Sequence, residues 1–112
     1  MNNPKFQLFQ SPKNSQFYFR LNAVNGETIL QSEGYTQKQS CLNGIDSVKV
    51  NAPIDERYDR RTAKNGQPYF VLKAANGEII GNSEMYSSTA ARDNGIQAVM
   101  RDAPGAPVED VS

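Results

Sequence analysis

The sequence predicts an α+β fold: two tandem repeats related by a pseudo-twofold axis, each an antiparallel three-stranded sheet of its own with one helix packed on it. Three observations carry that prediction. The 112-residue chain matches itself at an offset of 51, with Tyr18-Phe19 on Tyr69-Phe70, Asn25-Gly26-Glu27 on Asn76-Gly77-Glu78 and Asn43-Gly44-Ile45 on Asn94-Gly95-Ile96. Before each of the first Asn-Gly pairs, apolar residues alternate with polar ones, as in a half-buried strand. Further on they recur at spacings of three and four, which is the apolar stripe of a helix. Two copies are too few for a solenoid, and a unit of about 50 residues can hardly bury its own apolar face. The copies are therefore expected to share one core, as a single domain over 1–112 with repeats at 5–53 and 54–111.

In repeat one the first strand is expected over Lys5–Gln10, with Phe6 and Leu8 on one face. The turn formers Pro12-Lys13-Asn14-Ser15 follow. Phe17, Phe19, Leu21 and Ala23 mark the second strand, and the third returns over 28–32. Asn25-Gly26 between them suits a type I′ turn, because both residues tolerate positive φ. Repeat two offers a polar first strand over Glu56–Thr62, a turn at Ala63-Lys64-Asn65-Gly66, a second strand with Phe70, Leu72 and Ala74, and a return over 79–83. The charges Arg57, Asp59 and Arg61 suit an edge strand, where they discourage sheet-to-sheet pairing.

Thr36-Gln37-Lys38-Gln39 reads as a capping box for the first helix, and Ser87 or Ser88 as the cap of the second. Cys41, Ile45, Val48 and Ala52 form one stripe, and Ile96, Val99 and Ala103 repeat its latter part. Pro53 and Pro104 end the helices. Gly44 and Gly95 fall on or beside the stripes, where glycine costs about 1 kcal/mol relative to alanine. Either an aromatic ring or the other helix approaches the backbone there, or a ligand does. The segment 107–111 reads as a last short strand or a frayed tail.

Tyr-Phe-x-Leu-x-Ala-x-Asn-Gly-Glu, then Ser-Glu-x-Tyr, then a helix with Asn-Gly-Ile, resembles the YegP-like family of small prokaryotic proteins, over about Lys5 to Pro104 in both copies. The resemblance implies tandem β(3)-α-β motifs, which adds a strand after each helix. It implies no established activity, cofactor or catalytic residue. Repeat one has Cys41-Leu42 where repeat two has Arg92-Asp93, so the two helix faces are not equivalent.

Composition narrows the chemistry. Twelve basic residues balance twelve acidic ones, so no global field draws the chain to nucleic acid or an anionic membrane. There is no histidine, which excludes Ser-His-Asp and Cys-His catalysis and removes the commonest metal ligand. One cysteine, Cys41, makes neither a disulfide nor a four-ligand zinc site, and on the helix stripe it reads as core. No cofactor is expected. No run approaches the ~20 apolar residues of a membrane span, and Met1-Asn2-Asn3-Pro4 does not resemble a secretory leader, so a cytoplasmic protein is expected.

Two features are candidates for recognition. Arg57, Tyr58, Arg60, Arg61 and Lys64 place basic residues and an aromatic on one strand and turn. With Tyr58 exposed, such a set could stack on single-stranded bases or grip phosphates, although Asp55, Glu56 and Asp59 are also consistent with an ordinary salt-bridged edge. The matched tyrosines are the second feature: Tyr18 with Tyr69, which point away from Phe19 and Phe70, and Tyr35 with Tyr86. Tyr18 and Tyr69 either cover an exposed sheet surface or pack under the other copy. The function expected is a non-enzymatic interaction module, a monomer with internal pseudo-symmetry. Its partner is a protein or a second copy met through a strand edge. The alternative is weak single-stranded nucleic-acid binding through 57–64.

Overall fold

The computed structural model describes residues 3–112. In chain order the elements are β1 (Lys5–Gln10), β2 (Phe17–Asn22), β3 (Thr28–Gln31), α1 (Lys38–Asn51), a 3-10 turn (Asp55–Arg57), β4 (Tyr58–Thr62), β5 (Pro68–Lys73), β6 (Ile79–Asn82), α2 (Thr89–Asp102), a second 3-10 turn (Ala103–Gly105) and β7 (Val108–Asp110). The strands join in one seven-stranded sheet, β4-β5-β6-β3-β2-β1-β7. This corrects the expectation of a separate sheet for each repeat. The inner edges β3 and β6 pair antiparallel at Gln31 and Asn82, two residues at matched places in the repeats. β7 makes the segment 107–111 a strand at its centre rather than a frayed tail.

Phe6, Leu8, Phe19, Leu21, Phe70 and Leu72 are fully buried on one face of the sheet, in a single cluster with Cys41, Ile45 and Val48 of α1 and Ile96 and Val99 of α2. Both helices therefore cover the same face. The other face is partly solvated, as antiparallel sheets allow. There Phe9 stacks on Tyr18 with centroids 5.8 Å apart, and Arg20 lies over the Phe9 ring at 4.7 Å. Tyr18 thus packs on a neighbouring strand of its own repeat rather than under the other copy.

Local geometry explains several repeated residues. The turns at 23–27, 63–67 and 74–78 close alike, with Ala23, Ala63 and Ala74 each bonded to the residue four places on. Gly26, Gly66 and Gly77 carry φ of 85°, 86° and 87°, and Ser15 is the non-glycine residue with positive φ among those described. The turns are therefore three-residue loops ending in a left-handed glycine, not type I′. Asn25, Asn65 and Asn76 do not take up positive φ. Their Oδ1 atoms accept the backbone N–H two residues on, each at 3.0 Å.

The helix starts also differ. Ser88 caps α2 by accepting from the Ala91 N–H at 3.1 Å. In α1 the N-cap is Gln37, without a side-chain bond, so the expected Thr36 box does not form. Gln39 instead donates to Asn43 at 3.1 Å. The glycines within the helices have an aromatic cause. The Tyr35 and Tyr86 hydroxyls lie where side chains at Gly44 and Gly95 would sit. Phe19 stacks on Tyr35 and Phe70 on Tyr86 with centroids 6.4 and 6.3 Å apart.

Two departures from the repeat shape the architecture. The first strands align at an offset of 52, because Phe6 faces Leu21 as Tyr58 faces Leu72. The turn before β2 is one residue longer than the turn before β5 and contains Ser15. At the central joint, Leu30 fills the space a side chain on Gly81 would need. These are matched positions, and two leucines would compete for one space.

Candidate functional site

β1 and β4 are matched strands with different neighbours. The outer edge of β1 is taken by β7, which runs parallel to it with Phe6 opposite Val108 and Leu8 opposite Asp110. The Phe6 N–H donates to the Pro107 carbonyl and the Val111 N–H to the Leu8 carbonyl, both at 2.8 Å. Lys5 pairs with Glu109 at 3.1 Å, Gln7 donates to Glu109 at 2.8 Å, and Lys38 of α1 pairs with Asp110 at 2.6 Å.

The corresponding edge of β4 is the open end of the sheet. The Ala63 N–H bonds to the Gln67 carbonyl, which fixes the alternation along the hairpin. The peptide groups of Tyr58, Arg60 and Thr62 consequently face outward, as those of Phe6 and Leu8 do on β1. The Tyr58 N–H is occupied by the Asp55 carbonyl of the preceding turn. The Tyr58 carbonyl and the peptide groups of Arg60 and Thr62 remain along the edge.

Of the five candidate residues, all but Tyr58 reach solvent. Arg60 and Lys64 are exposed, and Arg57 and Arg61 half-buried. Tyr58 is 6% exposed, against the expectation of an exposed ring. The offset of 52 puts it in the place of Phe6. Its ring meets Phe70 edge-on at 5.7 Å, repeating the Phe6–Phe19 contact at 5.9 Å. Its hydroxyl donates to the Ala52 carbonyl at 2.8 Å. Burial, and then the Asp55 carboxylate, push its pKa up. A ring held this way offers no face for a base to stack on.

The basic side chains are largely paired. Arg60 meets Asp55 at 3.0 Å and Asp93 of α2 at 3.7 Å. Arg61 meets Asp59 at 2.9 Å, and Lys73 reaches the same carboxylate at 3.4 Å. The Arg61 hydrogen bond chiefly holds the Asp59 carboxyl below its usual range. Arg57 donates to Asn51 at 3.0 Å. Two of the places where the repeats differ in sequence, 57–61 and 92–93, thus meet through Arg60, Asp93 and Arg92. The signal for this was present as two separate mismatches. Their contact became visible only in three dimensions.

Cys41 is fully buried, and burial, with Asp110 nearby, pushes its thiol up to about 11. It is a core residue and a poor nucleophile at neutral pH. Among the described residues no cluster of three or more His, Cys, Asp or Glu could hold a metal ion, and no helix is long and apolar enough to cross a membrane.

The fold and its edges define a duplicated α+β domain, one outer strand covered and its counterpart open. The sequence profile of the family described as a domain of unknown function (DUF1508) matches twice, at residues 13–59 and 63–110. A UPF0339 protein of Shewanella oneidensis is 57% identical over 107 residues, covering 96% of each chain. The UPF0339 protein YegP of Escherichia coli K12 is 50% identical over 105 residues, covering 94% of each. The solution structure of a Shewanella oneidensis UPF0339 protein superposes with a TM-score of 0.90 at 54% identity, covering 96% of this chain and 91% of the other. That of E. coli yegP, described as a protein of unknown function, gives 0.91 at 47% identity, covering 99% and 95%. The chain belongs to the YegP-like UPF0339 family, whose function is uncharacterised.

Proposed function

We propose that the protein is a non-enzymatic, cytoplasmic interaction module that accepts an extended segment of a protein partner along the open edge of β4. In this reading the chain is a monomer whose repeats, 5–53 and 54–111, are related by a pseudo-twofold through the Gln31–Asn82 joint. One observation carries it. The edge of β1 is completed by β7, while the matched edge of β4 presents the Tyr58 carbonyl and the peptide groups of Arg60 and Thr62 with no strand among the described residues. Strand addition draws its affinity from such main-chain groups and its specificity from alternate side chains. β7 illustrates the occupant's geometry: parallel, extended and short.

The test uses a peptide copying residues 107–112, followed by the amide shifts of labelled protein. Expected are shift changes at Tyr58, Arg60 and Thr62 that disappear in Arg60→Pro. Proline there removes an outward N–H and leaves the ladder to β5 in place. A chain truncated before Val108 is the positive control, because it frees the edge of β1 for the same peptide. Binding at β1 of that chain with none at β4 would overturn the reading.

A further inference from the structure

A second feature lies away from the β4 edge and needs both repeats to exist. The turn between β2 and β3 of repeat one stands beside α2 of repeat two, and a groove of about 590 Å³ separates them. Ala23 and Ile29 from one side and Ala91 and Ala98 from the other give it an apolar lining. At the positions matching Ala91 and Ala98, α1 carries Ser40 and Ser47, so the apolar wall is a property of α2. The volume falls in the range of sites that take small organic molecules, about 300–1,000 Å³.

The groove lining carries one carboxylate, Glu27, and one guanidinium, Arg101. The Tyr86 hydroxyl lies over Gly95 at the groove wall, its ring fixed by the stack on Phe70. Glu27 lines the mouth. Burial chiefly raises the Tyr86 pKa, and the carboxylates of Glu84 and Glu27 raise it further. Arg101, the cation of the lining, is clasped by Asp102 through two bonds of 2.8 and 3.0 Å. Its charge is thereby offset, and Glu27 is left without a cation of the lining to balance it.

We infer that this groove is a binding site for a small amphiphilic organic cation, its apolar body between the β2–β3 turn and α2 and its ammonium group toward Glu27 and the Tyr86 hydroxyl. The apolar walls supply contact area, and the carboxylate and hydroxyl select charge and orientation. An anion of the same shape meets the Glu27 carboxylate and is disfavoured.

The probes are phenethylammonium and phenylpropionate, matched in shape and opposite in charge, each titrated to low-millimolar concentration against labelled full-length protein. Expected are saturable amide shifts at 23–29 and 94–98 with the ammonium and none with the carboxylate. Glu27 lies on an exposed turn, so Glu27→Gln keeps the fold and should weaken the ammonium by about threefold, the effect of removing one partly solvated ion pair. Tyr86→Phe should weaken it further without altering the Phe70 stack. Absence of saturable shifts, shifts mapping to another surface, equal response to both probes, or no effect of Glu27→Gln would each overturn the assignment.

Discussion

At matched places in the two repeats, Leu8 is fully buried on a strand whose edge β7 covers, while Arg60 stands exposed on a strand whose edge is open. The core cluster that holds Leu8 takes in Cys41 of α1, with Leu42 packed against it. At the matched places α2 carries Arg92 and Asp93, and Asp93 completes an ion pair with Arg60. The same scaffold thus finishes one edge with apolar packing and an added strand, and the other with a charge network. The difference teaches how a duplicated unit can leave one edge open without letting it aggregate: charge on a sheet edge disfavours unselective pairing while leaving peptide groups accessible.

The sharpest way to break this comparison is to truncate both side chains. Leu8→Ala should cost about 2–5 kcal/mol, because it removes buried methyls and leaves a cavity. Arg60→Ala should stay within about 0.5 kcal/mol, since its pairs are solvated and screened. Urea unfolding of the two variants reads both values. Similar losses would mean that the β4 edge is as much a part of the core as β1.

A smaller effect separates the two helix starts. Ser88→Ala should cost about 1 kcal/mol, the usual worth of a side-chain cap. Thr36→Ala should change stability by less than about 0.5 kcal/mol, because Thr36 does not cap α1. Gln37→Ser places a cap where repeat one has none and should add about 0.5 kcal/mol or more. Thermal or urea unfolding checks all three, and an equal loss in Thr36→Ala and Ser88→Ala would contradict the difference seen at the N-termini.

Much of the fold was readable in the residues, and the exceptions have physical reasons. The β1 and β2 strands, the helix stripes and the glycines under Tyr35 and Tyr86 follow from strong periodic patterns or from a cost that needed a cause. The single sheet was not readable, because the repeats join through one residue pair at Gln31 and Asn82, flanked by the Leu30–Gly81 exchange. Asn-Gly suggested the wrong turn because it serves two turn types, and the choice here follows the bond from the asparagine side chain to the backbone. Tyr58 was misplaced for a different reason: the one-residue difference in the turns shifts its strand to an offset of 52, outside the region where the offset of 51 is visible. Of the candidate edge, the charged residues were evident in the sequence. Its edge position was expected from those charges, whereas the covering of its counterpart β1 depends on β7, a segment the sequence left with two readings.

The gentlest perturbation separates the two edges by acid alone. Lys38 chiefly holds the Asp110 carboxyl down, with Ser112 helping, at about 2 against an ordinary 3.8. A folded pKa below the unfolded one means that the carboxylate supports the docked β7 above about pH 4. That support fades as the pH falls toward about 2. Asp59 on β4 is also held low, but by Arg61 and Lys73 of its own hairpin, so its protonation removes no added strand. Acidification from pH 4 to pH 2 should therefore lower the protection of the Val111 amide, taken relative to its intrinsic exchange rate at each pH; its bond to the Leu8 carbonyl anchors β7. The hairpin amide of Ala63 should change less over the same interval. Because Asp110 is exposed, added salt should weaken the effect. Lys38→Ala should return the Asp110 midpoint toward its ordinary value and lessen β7 protection at neutral pH. Equal acid responses of Val111 and Ala63 would show that the ionic contacts of β7 do not distinguish the two edges.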